Sequence, residues 1–349
     1  MIKVCYVLSY KSPNYVRTTT LVEALKLIST IKLFQVRNSS PGFLRYFQTL
    51  FKFLYVRAIK NPDVYIIGFR GHEIYWLLRI FALKKIFIFD EMMSPYDSYI
   101  NERKICSKDS FLTKIFYIIE KSILKNANYI LTDTDLHADY FVSLFNIDKV
   151  NIKVIPVGAD ERLFNLESTD AKNLGKQFTV FFYATFLPLH GVDVILSSAK
   201  LLENYPIRFI IVGGKDKRSE GLNFKNITRY EWLKYEDLPK YIKGSDICLG
   251  GPFGGTNQAR RVVTGKTYQF LAMGKPTIIG KIDEDFGFKD KYNCLLVRQG
   301  NVNDLADTIL WCFKNKKLLK NIGKNGSVLF NNFFDYKSLS YKLSDFLNV

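Results

Sequence analysis

The segment RRVVTGKTYQFLAMGKP (residues 260–276) sets Arg260, Arg261 and Lys266 at or before the start of an apolar helical stretch, with Lys275 just beyond it. A helix start carries partial positive charge and ordinarily gathers acidic side chains. Cations there make sense when an anion of several charges is held against the backbone N–H groups of the helix end. Upstream, GGPFGG (250–255) places Gly250, Gly251, Gly254 and Gly255, followed by Thr256, where backbone amides can approach a ligand closely. Gln269, one turn into the helix, adds a neutral hydrogen-bonding group, and Lys275 reads as a cation complementing the negative C-terminal end. In the first half, Asp90 and Glu91 close an apolar run, Asp97 follows them, and His72 follows another run.

Short β-branched runs alternate with amphipathic stretches along the whole chain, the pattern of parallel βαβ units. Strands are predicted at 2–8, 63–69, 85–90, 128–133 and 152–157, with helices near 15–29, 43–60, 72–83, 110–125 and 135–145. The second half repeats the arrangement, with strands at 178–184, 207–214, 246–251, 276–280 and 294–298. A polar, aperiodic stretch near 159–177 reads as a linker, and 333–347 as a last amphipathic helix. The expected fold class is α/β, two Rossmann-like doubly wound domains facing across a cleft. The expected division is 1–165 and 166–332, with a terminal helix over 333–349 packing back on the first domain. Ligands of such sheets bind beyond the carboxyl ends of the strands, which is where the residues above stand.

The chain has 349 residues, 48% of them hydrophobic, and a formal net charge of +17, which predicts an anionic partner. Its five cysteines and three histidines show no metal-ligand spacing, so no metal or other cofactor is expected. Cys5, Cys248 and Cys294 lie in strand-like runs and read as buried, reduced thiols of a cytosolic protein. No apolar run reaches the length of a membrane span, and the N-terminal MIKVCYVLSY reads as a strand and not as a signal peptide.

Several stretches resemble family 4 glycosyltransferases of the GT-B fold, in the family's order. VIPVGADERLF (154–164) resembles the hinge between its domains, and FYATFLPLHGVDVILSSAKLL (182–202) the first strand, loop and helix of its nucleotide-binding domain. EDLPKYIKGSDICLG (236–250) and KTYQFLAMGKPTIIG (266–280) resemble the segments that follow. FRGHE (69–73) and FDEMMSPYDSYINERK (89–104) look like the first domain of a microbial subgroup that builds surface glycans. The resemblance implies transfer of a sugar, with retention of configuration, from a nucleotide-diphosphate sugar, without a bound metal. Without a cation on the diphosphate, protein groups must neutralise the leaving group as its charge develops. Arg261 and Lys266 are the expected cations, and His190 and Thr185 occupy the loop where many relatives carry a lysine and an arginine. Where relatives carry two glutamates eight residues apart, this chain has Arg261 and Gln269. Gln269 can still accept from a ribose hydroxyl; Arg261 cannot act as a carboxylate. Gly254, Gly255 and Thr256 are assigned to the donor, and Tyr230 or Trp232 to flanking the nucleotide base. On the acceptor side the resemblance implicates Asp90, Asp97 and His72 in orienting or deprotonating the acceptor hydroxyl. Glu91 stands beside them, and Arg103 is placed to meet an acceptor phosphate.

Residues 24–62 contain seven cations and no acid. Within them, FLRYFQTLFKFLYVRAIK (43–60) puts Phe43, Phe47, Leu50, Phe51, Leu54 and Ala58 on one helical face. Such a helix can pack on the first sheet. Its basic, aromatic character also suits an anionic membrane surface, with Arg45, Phe47, Phe51, Lys52 and Leu54 facing the lipid. The expected protein is a hexosyltransferase of polysaccharide biosynthesis, peripheral on the inner face of the cell membrane. Its expected acceptor is a glycan or polyprenyl-linked chain. A non-catalytic GT-B partner subunit and a nucleotide-sugar epimerase of the same fold stay open; no nucleic-acid module is found.

Overall fold

The computed structural model describes residues 1–12, 14–167, 169–214 and 224–348. Ser168 of the expected linker and Val349 of the expected terminal helix lie outside the described residues. The chain forms two compact units, residues 1–157 with 336–349, and residues 158–335.

The first unit is built on six parallel strands: β1 (Ile2–Leu8), β2 (Ile31–Arg37), β3 (Val64–Ile67), β4 (Ile86–Asp90), β5 (Tyr129–Thr132) and β6 (Ile152–Val154). Their spatial order is β2-β1-β3-β4-β5-β6. Helices α1 (Val16–Lys26), α2 (Leu44–Lys60), α3 (Tyr75–Ile80), α4 (Phe111–Asn126) and α5 (Asp135–Phe145) connect them. Both faces of the sheet are covered, so its strands are apolar on both sides. Cys5, Val7, Tyr65, Ile67, Phe87 and Phe89 enter one core with residues of α2 to α5; Val4, Tyr6, Leu8, Ile66 and Ile88 enter the other with α1.

The second unit has strands β7 (Phe178–Tyr183), β8 (Ile207–Val212), β9 (Ile227–Tyr230), β10 (Ile247–Leu249), β11 (Thr277–Gly280) and β12 (Leu295–Val297). All pair in parallel in the order β12-β11-β10-β7-β8-β9. Counted from its own first strand, this is the 3-2-1-4-5-6 order of a dinucleotide-binding sheet, which reverses between β7 and β10. Its helices are α6 (Val192–Leu201), α7 (Leu238–Gly244), α8 (Gly265–Ala272), α9 (Val302–Lys314) and α10 (Lys316–Phe333). The last helix, α11 (Tyr336–Leu347), belongs to the first unit, where Leu339 and Leu343 join Leu21, Val22 and Leu25 in the core.

Two predicted elements change. Residues 72–83 divide into a 3₁₀ turn (Gly71–Glu73) and the short α3. IKLFQVR, given no strand, forms edge strand β2. Its alternation is masked by Lys32, Gln35 and Arg37, as expected of an edge strand exposed on one side. The cysteines are free, and Cys5, Cys248, Cys294 and Cys312 are buried.

Candidate functional site

The segments expected to hold the diphosphate lie where the second sheet reverses. The loop after β7 and the glycine-rich loop after β10 meet backbone to backbone: Gly254 N donates to Leu189 O at 3.0 Å. A Cβ on Gly254 would sit 2.2 Å from Pro188 O, so only glycine allows this approach. Helix α8 follows. Its N-cap residue Thr264 donates its hydroxyl to Gly250 O (2.5 Å) and lies 3.2 Å from Thr267 Oγ1, making no side-chain cap to a backbone N–H.

Lys266, in the first turn of α8, is buried. Its Nζ lies 3.2 Å from His190 Nδ1 and 5.4 Å from the centre of the Phe182 ring. Among the described residues no carboxylate pairs with it. Burial lowers its pKa to about 7. Burial, with the neighbouring lysine charge, holds His190 well below its ordinary range, so the imidazole is neutral near pH 7. Two basic groups therefore meet at an uncapped helix start without an acid, and an anion would relieve both the charge and the open N–H groups. Arg261 ends a 3₁₀ turn (Ala259–Arg261), half-buried, and Thr256 holds that turn by accepting from Ala259 N at 3.2 Å. Gly255 and Thr185 are exposed in their loops.

Gln269 is buried and donates from Nε2 to Tyr235 OH at 2.8 Å, while its Oε1 has no partner. This carbonyl oxygen is the acceptor proposed from the sequence. Tyr235 is the residue that sequence reasoning passed over; it lies in RYEWLKYEDL, but its direction is set by the 3₁₀ turn Tyr235–Asp237. The two aromatic candidates separate: Tyr230 packs edge-on against Tyr241 at 5.7 Å, and Trp232 is 74% exposed. Lys275 serves another helix than expected, donating from Nζ to the carbonyl of Ser245, the C-cap of α7.

In the first unit the acceptor-side residues are less open than the sequence suggested. Asp90 is fully buried and grips Arg17, with Nε and Nη2 donating to Oδ1 at 3.0 and 2.9 Å. Arg17 also donates to Ile155 O (2.5 Å) and Pro156 O (3.0 Å), tying β4 to the chain beyond β6. Burial pushes the Asp90 carboxyl up, opposed by the guanidinium. Asp90, expected to orient or deprotonate the acceptor hydroxyl, is thus engaged with Arg17 in holding the strand ends. Asp97 is buried at the start of a π-helical turn (Asp97–Glu102), accepting from Asn101 Nδ2 at 2.9 Å. Glu91 is buried against His72, 2.7 Å away. Arg103 is exposed above the Tyr99 ring, which Arg70 approaches too, donating to its hydroxyl at 2.8 Å. Arg70, unremarked in the sequence, shares the Tyr99 ring with Arg103 and also bonds Glu73.

Helix α2 turns differently from the predicted wheel. Thr49 and Phe53 face the sheet, with Leu50 and Leu54 packed against the core; Leu54 is thus not outward-facing. Arg45 lies over the Tyr46 ring (4.4 Å) and 3.5 Å from Glu73, and Lys52 donates to Arg37 O. The exposed stripe is Phe43, Phe47, Phe51, Tyr55 and Ile59, every fourth residue. A broad apolar arc does not reveal which of its flanks meets the sheet. Trp76, Leu77 and Ile80 of α3 and Ile118 and Ile119 of α4 are exposed as well. Helices α2 and α3 pack together, and Trp76 Nε1 donates to Ser122 Oγ of α4 at 3.3 Å. No helix among the described residues is long and apolar enough to cross a membrane.

This fold, two Rossmann-like domains each on a six-stranded parallel sheet, is that of the GT-B glycosyltransferases. Residues 177–315 match the family described as glycosyl transferases group 1. No curated protein matches the sequence. Among solved structures, sucrose-phosphate synthase from Thermosynechococcus elongatus is similar at TM-score 0.76 and 15% identity, covering 100% of this chain and 98% of that one. HepE of Anabaena in complex with UDP-glucose aligns at TM-score 0.74 and 12% identity, covering 100% of both chains. A putative UDP-N-acetylglucosamine 2-epimerase from Listeria monocytogenes aligns at 0.56 and 14%, covering 100% and 97%.

Proposed function

We propose that the protein is a retaining glycosyltransferase that takes its sugar from a nucleoside-diphosphate donor, with UDP as the first candidate, and needs no metal on the diphosphate. The observation that carries this is Lys266, a buried lysine at a helix start without a side-chain cap and with no carboxylate paired to it among the described residues. A diphosphate there would hold Lys266 in its charged form, and that interaction strengthens as the bond to the sugar breaks and charge collects on the leaving oxygen. Arg261 supplies a second cation from the preceding turn. Gln269 takes the ribose hydroxyl at its unpartnered oxygen and Trp232 covers the base. The UDP-glucose complex of HepE supports the choice of UDP. Arg70 and Arg103 would receive an acceptor phosphate, as in a polyprenyl-linked glycan. With Asp90 committed to Arg17, the departing phosphate oxygen is the natural acceptor of the hydroxyl proton.

The test is a thermal-shift panel of UDP, GDP, ADP and their sugar conjugates in EDTA. One nucleotide family should raise the melting temperature, by RT ln(1 + [L]/Kd) in stability. Its sugar conjugate should then be transferred to a lipid-linked acceptor in EDTA. No shift with any nucleotide would sink the donor reading; donor turnover without acceptor would favour epimerisation.

The outward stripe of α2, with its neighbours on α3 and α4, supports docking to an anionic bilayer. The stripe is aromatic, lies in a segment without acids, and has Lys52, Lys60, Lys84 and Lys114 exposed nearby. The protein should sediment with phosphatidylserine vesicles at low salt and release in high salt. Phe47→Asp with Phe51→Asp should abolish sedimentation without lowering the melting temperature, because both side chains are exposed. Sedimentation unchanged by the pair would remove α2 from the lipid contact.

A further inference from the structure

Three titratable side chains of the first unit converge without completing one another's bonding. His72 comes from the 3₁₀ turn after β3, Glu91 from the end of β4, and Glu120 from the middle of α4. One potential ligand atom of each lies within 4.8 Å of the other two. The turn docks this closely because residue 71 is glycine; a Cβ there would meet Ile67 Cγ2 at 2.4 Å. Phe89 lies edge-on to the imidazole at 4.9 Å and fixes its plane.

Glu91 and Glu120 are 0% and 1% exposed; Glu91 Oε1 and His72 Nδ1 have no hydrogen-bond partner, and the Glu120 carboxyl has the Ser94 side chain beside it. The remaining oxygens are used: Glu91 Oε2 lies 2.7 Å from His72 Nε2, and Glu120 Oε2 accepts from Tyr96 N at 2.9 Å. Unpaired buried oxygens are costly. Nearby cations are committed elsewhere, Arg70 to Tyr99 and Glu73, and Arg17 to Asp90. Two buried carboxylates without a cation must therefore carry protons or be matched by an ion of charge two.

We infer that His72, Glu91 and Glu120 form a binding site for a divalent first-row metal ion of the zinc or manganese kind. One imidazole and two carboxylates suit such ions, and two carboxylates balance the charge. Tetrahedral ligands at about 2.0–2.2 Å from zinc lie about 3.4 Å apart, so groups now within 4.8 Å of one another close on the ion by moving together by up to about 1.4 Å. The ion would clamp the 3₁₀ turn, the end of β4 and α4 together, all within the first unit. Without it, burial moves the groups towards neutrality: His72 down to about 4, Glu120 up to about 8, and Glu91 well up.

The full-length protein, stripped with chelator, is incubated with Zn²⁺ or Mn²⁺ and desalted, and its metal content is measured. One equivalent per chain of one of the two is expected, with a higher melting temperature that EDTA reverses. Glu91→Gln with Glu120→Gln should retain none. Wild-type protein that retains neither metal, or the double variant retaining as much as wild type, overturns the site. Co²⁺ titration of the wild type reads the ligands without any variant. Weak visible bands that saturate at one equivalent, without thiolate charge transfer, support imidazole and carboxylate ligation. A thiolate band, or no saturable spectrum, overturns it.

Discussion

Lys266→Met is expected to lower sugar transfer by about 10²–10³-fold, the loss seen when one preorganised donor to a developing anion is removed. The same substitution should raise the melting temperature of the unliganded protein. Lys266 is buried beside His190 without an acid, and its pKa of about 7 means that burial disfavours its charge. For a domain of this size each kcal/mol recovered moves the melting temperature by about 2–4 °C. The pH dependence has a definite sign. The folded pKa lies below the ordinary lysine value of 10.5, so between about pH 7 and 10.5 the unfolded chain holds more protons, and unliganded stability rises with pH. A diphosphate selects the charged form. Nucleotide affinity should therefore fall as pH rises above about 7, by at most about tenfold per unit for one proton. Lys266→Arg, charged at every pH used, should flatten that slope. Isothermal titration of the nucleotide from pH 6 to 9, beside transfer assays, checks all three outcomes. Undiminished transfer by Lys266→Met would remove the lysine from the mechanism, and a fall in its melting temperature would show that the buried ammonium is already compensated.

The second large effect concerns the fold of the first unit. Arg17→Met should destabilise it by about 3–5 kcal/mol, because it leaves Asp90 buried without its cation. That is a large part of the ~5–15 kcal/mol that holds a typical domain. Asp90→Asn should be milder, since a neutral amide still accepts from the guanidinium, though Arg17 then keeps an unbalanced charge. The double replacement Arg17→Met with Asp90→Leu should recover most of the loss, since apolar replacements of buried ion pairs are often neutral or stabilising. With Asp90→Leu made alone as well, denaturant unfolding of wild type, Arg17→Met, Asp90→Leu and the double variant forms a double-mutant cycle. Additive losses would mean that the two groups are not coupled, contrary to their bidentate contact.

The two predictions differ in how far the sequence alone supports them. Lys266 announces itself locally: a basic residue opening an apolar helix after a glycine-rich loop is anomalous against the helix dipole, and the anomaly persists in the structure. Arg17 gives no such signal. VRTTTLVEALK reads as an ordinary helix, and its arginine meets Asp90 across 73 residues of sequence. Glu120 offered a partial signal, an acid on the same helical face as Thr113 and Leu124, which are buried. A single acid on an apolar face still does not name its partners.

The sequence by itself determined most of the succession of strands and helices, edge strand β2 excepted, because period and turn chemistry are properties of adjacent residues. It also placed the loops that carry Lys266, Arg261 and the glycines, since parallel βαβ order puts those loops beyond the strand ends. The tertiary structure decided what each charge meets. It bound Asp90 to Arg17, brought His72, Glu91 and Glu120 together, joined Gln269 to Tyr235, and turned Phe47 and Phe51 rather than Leu54 outward. Those outcomes depend on contacts between residues far apart in the chain, and on which flank of a helix finds the sheet. Neither is encoded in a local pattern, because burial and pairing are fixed only when the strands have taken their places.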